Sequence, residues 1–339
     1  MSKEESLIVK GVAILMMLYL HLFNQMTNVA ICDNMIFIGN MPFTYILSRA
    51  TNPVAFFIIL SGYGLYVSHH RGTYKVWHKL KALYLHYWIA LIIFVALGYW
   101  IVGGEKYPGG WMKIAENVTA WNVTYNGEVW FLFPYMMVML TSKWIVRMLD
   151  RYRAWVCIGV LLFLHLCCGF LISRYGPQFL YHDQLLYKPV LYVSFLFPFA
   201  LGVYMAKFQL VGKLRFGGGT SPSLKNKKNC WLLILLLVAF RCCFATGAFH
   251  ILYAFAFIIL FVNAPRFNVV DRLLQEMGRR STSMWFVHSC FCYYLFHDFV
   301  YGLKYPLVIF LFLVVVSYLT AVVIDKINSK LSALCFRKF

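Results

Sequence analysis

A histidine lies deep inside the first apolar segment of the chain. The segment runs from Lys10 to His21 and has the sequence KGVAILMMLYLH, with ten residues between the two ionisable side chains. In a helix, eleven steps place His21 about 16 Å along the axis from Lys10. A neutral imidazole can accept the proton of an attacking hydroxyl, so His21 is a candidate general base. A histidine that is only hydrogen-bonded inside a helix bundle would fit the same segment.

Two further ionisable side chains lie in apolar segments, where burial in a membrane is costly. Glu128 lies in GEVWFLFPY at the start of one segment, and His288 lies in GRRSTSMWFVHSCF within another. Their positions alone do not show whether they take part in proton transfer or in packing. Structural or interface roles are expected for the other buried candidates, which are His86, His165, Arg241 and His297.

Basic side chains gather where the third apolar segment begins. The stretch HHRGTYKVWHKLKALYLHYW contains four of them, Arg71, Lys75, Lys79 and Lys81. Such a cluster with aromatic neighbours suits a phosphate-rich ligand. It equally suits the cytoplasmic flank of a membrane span, where lysine and arginine are enriched.

Sequence motifs of several enzyme classes are missing. HExxH, GxSxG and a Gly-rich loop with a Walker lysine do not occur, which argues against a metalloprotease, a serine hydrolase and an ATPase. The ten cysteines are scattered, without paired CxxC motifs or finger spacing. Neither a metal site nor a disulfide framework is therefore expected.

The composition is that of a membrane protein. Hydrophobic residues make up 62% of the chain and charged residues only 13%, whereas a soluble domain averages about 25% charged residues. A chain this apolar cannot cover itself with polar surface in water, so we expect a polytopic membrane protein. On a soluble protein the net charge of +19 would suggest nucleic acid, but here the basic residues lie between apolar segments and indicate topology.

We expect an all-α membrane helix bundle with about ten transmembrane helices, because a span needs about 20 apolar residues. The candidate spans cover residues 7–27, 48–68, 82–103, 129–148, 154–173, 189–206, 230–247, 248–264, 281–300 and 305–325. With the N-terminus inside, the cytoplasmic segments hold 24 of the 31 lysines and arginines. This bias predicts that both termini are cytoplasmic.

The chain is expected to form a single integral membrane domain over residues 1–339, without a fused soluble domain. The stretch at 207–229 is predicted to be a basic cytoplasmic linker, because it includes KLRFGGGTSPSLKNKKN. The stretch at 104–128 is predicted to be the longest loop on the outside.

Five segments, taken in order, resemble the acyltransferase 3 family of integral membrane O-acyltransferases. Lys10 and His21 match its basic-residue-x10-His signature in the first span. AFFIILSGYGLY is similar to its second-span stretch, and Ser61, Gly62 and Gly64 are small residues that favour close helix packing. HKLKALYLHYW, VWFL and GRRSTSMWFVH are similar to its third-span, Trp-Phe-Leu and late Gly…Ser…aromatic…His elements. The resemblance covers almost the whole chain.

One segment departs from the family pattern. The family usually has two arginines three apart at the start of the third span, whereas this chain has Lys79 and Ala82, with Lys81 adjacent. A lysine ammonium is a point charge rather than a planar fork, so its contacts with a ligand differ from those of arginine.

The resemblance implies transfer of an acyl group, expected to be acetyl, from cytoplasmic acyl-CoA to a sugar hydroxyl. It implies that His21 is the base, with Glu128 orienting it and His288 as a further catalytic residue. The basic residues expected to bind acyl-CoA are Lys10, Arg71, Lys79 and Lys81. The residues expected to form the oxyanion site or pocket are Asn52, Ser61, Tyr63 and Trp130.

The resemblance also sets the expected partners and location. Acyl-CoA would be the donor substrate, and neither a metal nor a permanently bound cofactor is expected. The acceptor would be a cell-surface or exported polysaccharide, and nucleic acid is not an expected partner. The protein would span the bacterial inner membrane several times.

A membrane transporter of a lipid-linked sugar or small metabolite is the alternative function, because intramembrane charge and ten spans also suit transport. Transporters often consist of repeated halves, and nothing in residues 170–325 repeats the Lys10–His21 pattern. Consumption of acetyl-CoA by the purified protein would distinguish the enzyme from the transporter.

Overall fold

The computed structural model describes residues 1–213, 224–244 and 247–335. These residues are almost entirely helical, with one two-residue antiparallel strand pair in which Phe37 pairs with Pro42. The elements in chain order are α1 (Lys3–Phe23), α2 (Met26–Ala30), β1 (Phe37–Ile38), β2 (Met41–Pro42), α3 (Phe43–Ser48), α4 (Pro53–His70), α5 (Val76–Val102), α6 (Trp111–Thr119), a 3₁₀ turn (Gly127–Val129), α7 (Leu132–Arg151), α8 (Ala154–Tyr175), a π turn (Gly176–Leu180), α9 (Gln184–Lys207), α10 (Leu210–Lys213), α11 (Leu224–Cys243), a second 3₁₀ turn (Gly247–Phe249), α12 (His250–Asn263), α13 (Asn268–Ser289), a second π turn (Cys290–Leu295), α14 (His297–Gly302) and α15 (Pro306–Cys335). The predicted all-α fold is confirmed.

Seven helical segments of the described residues are long and apolar enough to cross a membrane. They are Lys3–Phe23, Phe43–His70, Val76–Val102, Gly127–Arg151, Ala154–Leu180, Gln184–Lys207 and Pro306–Ala333, and each overlaps a predicted span. The predicted spans at 230–247 and 248–264 fall on shorter apolar helices, Asn229–Cys243 and His250–Asn263. The predicted span at 281–300 begins within α13, whose first half is polar. The count of about ten is therefore not confirmed.

Two predicted segments extend beyond the described residues. Residues 214–223 of the predicted linker at 207–229 lie outside them, and residues 207–213 include the end of α9 and all of α10. The last four residues, 336–339, also lie outside them. The cytoplasmic position of both termini stays a prediction.

Helix α1 begins with a capping box that the sequence SKEE encodes. The backbone N–H of Glu5 donates to the Ser2 hydroxyl at 3.0 Å, and the backbone N–H of Ser2 donates to the Glu5 carboxylate at 2.6 Å. These bonds satisfy N–H groups that a helix start leaves without partners. After Lys10, an apolar run then carries the helix to His21 in its last turn.

The described chain divides into two compact units. The first contains Met1–Ala13, Asn52–Val76 and Phe133–Gln275, and the second contains Ile14–Thr51, Trp77–Leu132 and the residues from Glu276 onward. His21, Glu128 and His288 all belong to the second unit.

In the first unit, α4 and α9 pack with their backbones in direct contact. A Cβ added at Gly202 would lie 1.9 Å from the carbonyl oxygen of Ile59, and one at Gly62 would lie 2.1 Å from that of Phe199. Gly62 therefore permits the close approach that the sequence predicted. Gly64 does not, because a Cβ there would meet nothing within 4 Å.

In the second unit, a polar network joins α13 to α5 and α15. Arg280 donates to the carboxylates of Glu276 at 2.8 Å and Asp325 at 3.0 Å. Asp325 also accepts from the Ser283 hydroxyl at 2.5 Å and lies 3.5 Å from Nε2 of His86. Because each charged group has a partner of opposite charge, the network can be accommodated between helices.

Candidate active site

Two predicted catalytic side chains meet in the second unit. Nδ1 of His21 lies 3.2 Å from Oε2 of Glu128, and the two side chains are only 13% and 21% exposed. A carboxylate at this distance favours the tautomer in which Nδ1 carries the proton and donates it to the carboxylate. Nε2 of His21 then carries the lone pair, and this is the form that a general base requires.

Glu128 is placed by bonds to its main chain. It is the middle residue of the 3₁₀ turn, and its N–H donates to the Asn126 side-chain oxygen at 3.2 Å. Its carbonyl accepts from the Trp285 indole at 3.1 Å. The N–H of Gly127 donates to the Tyr294 hydroxyl at 2.9 Å. Hydrogen bonds to the main chain of Gly127 and Glu128 therefore hold the turn in place.

His21 is placed by tyrosines that bind the C-terminal end of α1. The last carbonyls of a helix have no partner within the helix. Here the Tyr293 hydroxyl donates to the His21 carbonyl, and the Tyr301 hydroxyl donates to the Leu22 carbonyl at 2.9 Å. The Tyr293 ring also packs edge-on against the imidazole, with centroids 5.8 Å apart.

His288 lies beside His21 and is fully buried. The two ring centroids are 5.0 Å apart, and the exposed fraction of His288 is 0%. Its Nδ1 lies 2.8 Å from the Trp285 carbonyl, to which it can only donate. Nε2 of His288 therefore carries a lone pair, and it has no hydrogen-bond partner among the described residues. In this tautomer His288 can accept a hydrogen bond but cannot donate one to an oxyanion.

Most anchors of the two candidate catalytic side chains come from one stretch of chain, the end of α13 and the π turn that follows it. Trp285 lies in α13, and Tyr293 and Tyr294 lie in the π turn Cys290–Leu295. Successive side chains on a helical turn point in different directions. Tyr293 can therefore reach the end of α1 while Tyr294 reaches the 3₁₀ turn. Single π turns inside helices are frequent at functional sites.

A narrow pocket lies beside the 3₁₀ turn. Asn126 borders it, and Tyr87, Phe94 and Tyr294 contribute aromatic walls. None of the three candidate catalytic side chains lines it. The hydroxyls of Tyr87 and Tyr294 are bonded to main-chain atoms, so these walls are apolar.

Most of the other predicted site residues belong to the first unit. The Ser61 hydroxyl shares a hydrogen bond of 2.6 Å with the Tyr135 hydroxyl. The Tyr63 hydroxyl accepts from the amino group of Met1 at 2.7 Å. Asn52 is the N-cap residue of α4, but its side chain makes no capping bond. Their proposed pocket roles therefore stay predictions.

The predicted acyl-CoA ligands are spread over several elements. Lys10 lies in α1 and exposed Arg71 follows α4, while Lys79 and Lys81 are exposed near the start of α5. Trp130, predicted to line the pocket, caps the 3₁₀ turn two residues after Glu128 and packs against the ring of Phe131 at 6.0 Å. No contact in the structure tests phosphate binding, so these assignments also stay predictions.

The histidines expected to be structural have internal partners. Nε2 of His86 lies 3.0 Å from the Asn328 amide, and Nδ1 of His165 lies 2.8 Å from the Ser194 carbonyl. Nδ1 of His297 lies 2.9 Å from the carboxylate of Asp298, the next residue in the chain.

Metal ligands do not converge in the part of the chain that the structure describes. No group of three or more His, Cys, Asp or Glu side chains there could hold a metal ion. Independence from metals stays an expectation.

Sequence reasoning missed the residues that hold the two candidate catalytic side chains. Asn126, Ser289, Tyr293 and Tyr294 carry no charge, and their partners are far away in the sequence. Asn126 had one local signal, since asparagine before a short helical turn is a common cap.

Comparison with known proteins identifies one family. The sequence profile of a family described as an acyltransferase domain matches residues 8–326, nearly the whole chain. No curated protein matches the chain. No solved structure matches it either.

Proposed function

Because the chain belongs to the acyltransferase 3 family, and is thus a membrane acyltransferase, we propose that it transfers an acetyl group from acetyl-CoA to a hydroxyl of an exported polysaccharide. The observation that carries the mechanism is the contact between Nδ1 of His21 and the Glu128 carboxylate at 3.2 Å. A carboxylate, an imidazole and a free Nε2 are the parts needed to activate a hydroxyl.

The first step is attack of the acceptor hydroxyl oxygen on the thioester carbonyl carbon. His21 Nε2 takes the hydroxyl proton as the new C–O bond forms, and Glu128 stabilises the imidazolium that results. Collapse of the tetrahedral intermediate then breaks the C–S bond. The departing CoA sulfur recovers the proton from His21, which returns the imidazole to its neutral form.

His288 has an accepting role in this proposal. Its buried Nε2 carries a lone pair beside His21, so it suits an O–H donor on the acceptor rather than the oxyanion. A sugar offers such a donor in the hydroxyl next to the reacting one. Asn52, Ser61, Tyr63 and Trp130 stay proposed as oxyanion or pocket residues, and none of them lines the pocket beside the 3₁₀ turn.

The donor end of the reaction is proposed to use basic side chains. CoA carries a pyrophosphate and a 3′-phosphate, for which ammonium and guanidinium groups are suitable partners. Lys10, Arg71, Lys79 and Lys81 are the proposed partners. The location in a bacterial inner membrane belongs to the same proposal.

Release of free CoA tests the function directly. Purified protein in lipid nanodiscs is incubated with acetyl-CoA and a panel of bacterial polysaccharides, and the thiol and the acetyl ester are measured. We expect CoA and ester in equal amounts from the wild-type protein and neither from His21→Ala. Equal CoA release from both proteins, or none from either, would contradict the proposal.

A further inference from the structure

The side chain of Asn126 joins the 3₁₀ turn to α13. Its Oδ1 accepts from the Glu128 N–H at 3.2 Å and from the Ser289 hydroxyl at 2.8 Å. Its Nδ2 donates to the Phe286 carbonyl at 2.9 Å. Both ends of the amide are therefore used, and they connect the residue that carries the carboxylate to the last turn of α13.

We propose that Asn126, held by Ser289, is a positioning residue that fixes the Glu128 carboxylate against His21. The inference rests on the proposed function, because it assigns a task to residues next to the proposed catalytic pair. Neither residue is offered as a catalytic residue, since neither contacts the imidazole.

Burial makes the hydrogen bonds of Asn126 with Glu128, Ser289 and Phe286, here called the clamp, difficult to replace by water. Asn126 is 7% exposed and Ser289 is 0% exposed. A buried polar group that loses its partner retains its desolvation cost. Removing the Asn126 amide would leave the Phe286 carbonyl, the Ser289 hydroxyl and the Glu128 N–H without the partner they now share. The turn would then shift to recover partners.

The 3₁₀ turn cannot maintain this position alone. It contains only three residues, and its hydrogen-bond geometry is poorer than that of an α-helix. A displacement of about 1 Å at a catalytic group can cost about 100-fold in rate. The clamp therefore governs how well Glu128 orients His21.

Ser289 also places the clamp beside the second imidazole. It follows His288 directly in α13, so one turn of helix carries both the buried imidazole and the anchor of the carboxylate. Movement of that turn would disturb the His288 imidazole, the Ser289 hydroxyl and, through Asn126, the Glu128 carboxylate together.

A double-mutant cycle separates positioning from a general structural role. Asn126→Ala and Ser289→Ala are made alone and together with Glu128→Ala, and kcat and KM for acetyl-CoA are measured on folded protein with the polysaccharide that wild type acetylates. We expect kcat to fall about 100-fold for Asn126→Ala and about tenfold for Ser289→Ala, with KM unchanged. In the Glu128→Ala background each change should lower kcat less than about twofold, because residues that act through one group are not additive.

Matched controls are available in the same unit. Ser281 is a buried serine of α13 whose hydroxyl donates to its own helix, at Gly278. Asn328 is a buried asparagine whose side-chain amide lies 3.0 Å from Nε2 of His86. Ser281→Ala and Asn328→Ala should lower protein stability or yield while leaving kcat per folded molecule within about twofold of wild type.

A second measurement does not depend on activity. Hydrogen–deuterium exchange of the peptide containing residues 126–132 should be faster in Ser289→Ala than in Ser281→Ala. Unchanged exchange in Ser289→Ala would overturn the clamp, and so would equal losses of kcat with and without Glu128. If instead Glu128→Ala itself retains wild-type kcat, the proposed function of the pair fails, and exchange still decides whether the clamp exists.

Discussion

Nδ1 of His21 faces the carboxylate of Glu128 at 3.2 Å, although the two residues are far apart in the sequence. The contact determines the tautomer of the His21 imidazole. The nitrogen that faces the carboxylate holds the proton, and the other nitrogen carries the lone pair. The chemistry of the site depends on that assignment.

Glu128→Gln should abolish transfer while preserving the shape of the side chain. A glutamine can turn its N–H₂ group toward Nδ1, which stabilises the wrong tautomer and moves the proton to Nε2. We expect kcat to fall by about 10³-fold or more, measured as acetyl ester formed per folded molecule. His21→Ala should show a similar loss, and His182→Ala, at an exposed histidine, should show none. A Glu128→Gln protein with wild-type kcat would remove the tautomer argument.

Loss of basic side chains should weaken binding of the donor. Lys10→Ala, and separately Lys79→Ala combined with Lys81→Ala, should raise the Kd for CoA about tenfold, because each would remove a charge-assisted bond to phosphate. Titration calorimetry with free CoA at two salt concentrations measures the effect. Lys106→Ala, in the loop predicted to face outside, is the control. If all the proteins bind CoA equally, the lysines determine topology alone.

Sidedness can be tested with single cysteines in a variant that lacks the ten native ones. Glu105 and Lys75 are both exposed, in the loop predicted to face outside and at the predicted cytoplasmic start of the third span. In intact cells, Glu105→Cys should react with a membrane-impermeant maleimide. Lys75→Cys should react only after the cells are opened. The opposite pattern would invert the topology and contradict transfer to acceptors outside.

Gly202→Ala should destabilise the first unit. Its Cβ would overlap the Ile59 carbonyl at 1.9 Å, so α4 and α9 would have to separate. Overpacking of this kind costs about 1–3 kcal/mol, and we expect a lower Tm for the detergent-solubilised protein. Gly64→Ala adds the same methyl group to open space on α4 and should leave the Tm unchanged or raise it, because alanine favours a helix more than glycine does. Equal Tm values for the two variants would show that the helices adjust without strain.

The sequence was sufficient to identify the catalytic candidates but not the residues that position them. His21 and Glu128 stand out because an ionisable group in an apolar segment is costly. Asn126 and Tyr293 are common residue types whose partners lie on distant segments. No local pattern reports such contacts, so only the folded chain reveals them.

Hydropathy predicted the long spans and was less successful near the end of the chain. Helix α13 starts with polar residues that include Asp271, Arg272 and Glu276. Asp271 pairs with Arg266, and Glu276 pairs with Arg280. The helix is therefore polar in its first half and apolar in its second half. A window of about 20 residues averages over both.

The hydrogen bonds that hold the end of α1 depend on the number of residues in the π turn Cys290–Leu295 as well as on their types. A π turn closes its hydrogen bonds over one more residue than an α turn. Deleting one residue there would let the chain form an ordinary α-helix at little local cost. Because a π turn accommodates one extra residue within a helix, the later side chains would keep their direction, whereas Tyr293 would lose the position from which its hydroxyl donates to the His21 carbonyl. Family members that lack this extra residue would have to hold the histidine from another part of the chain.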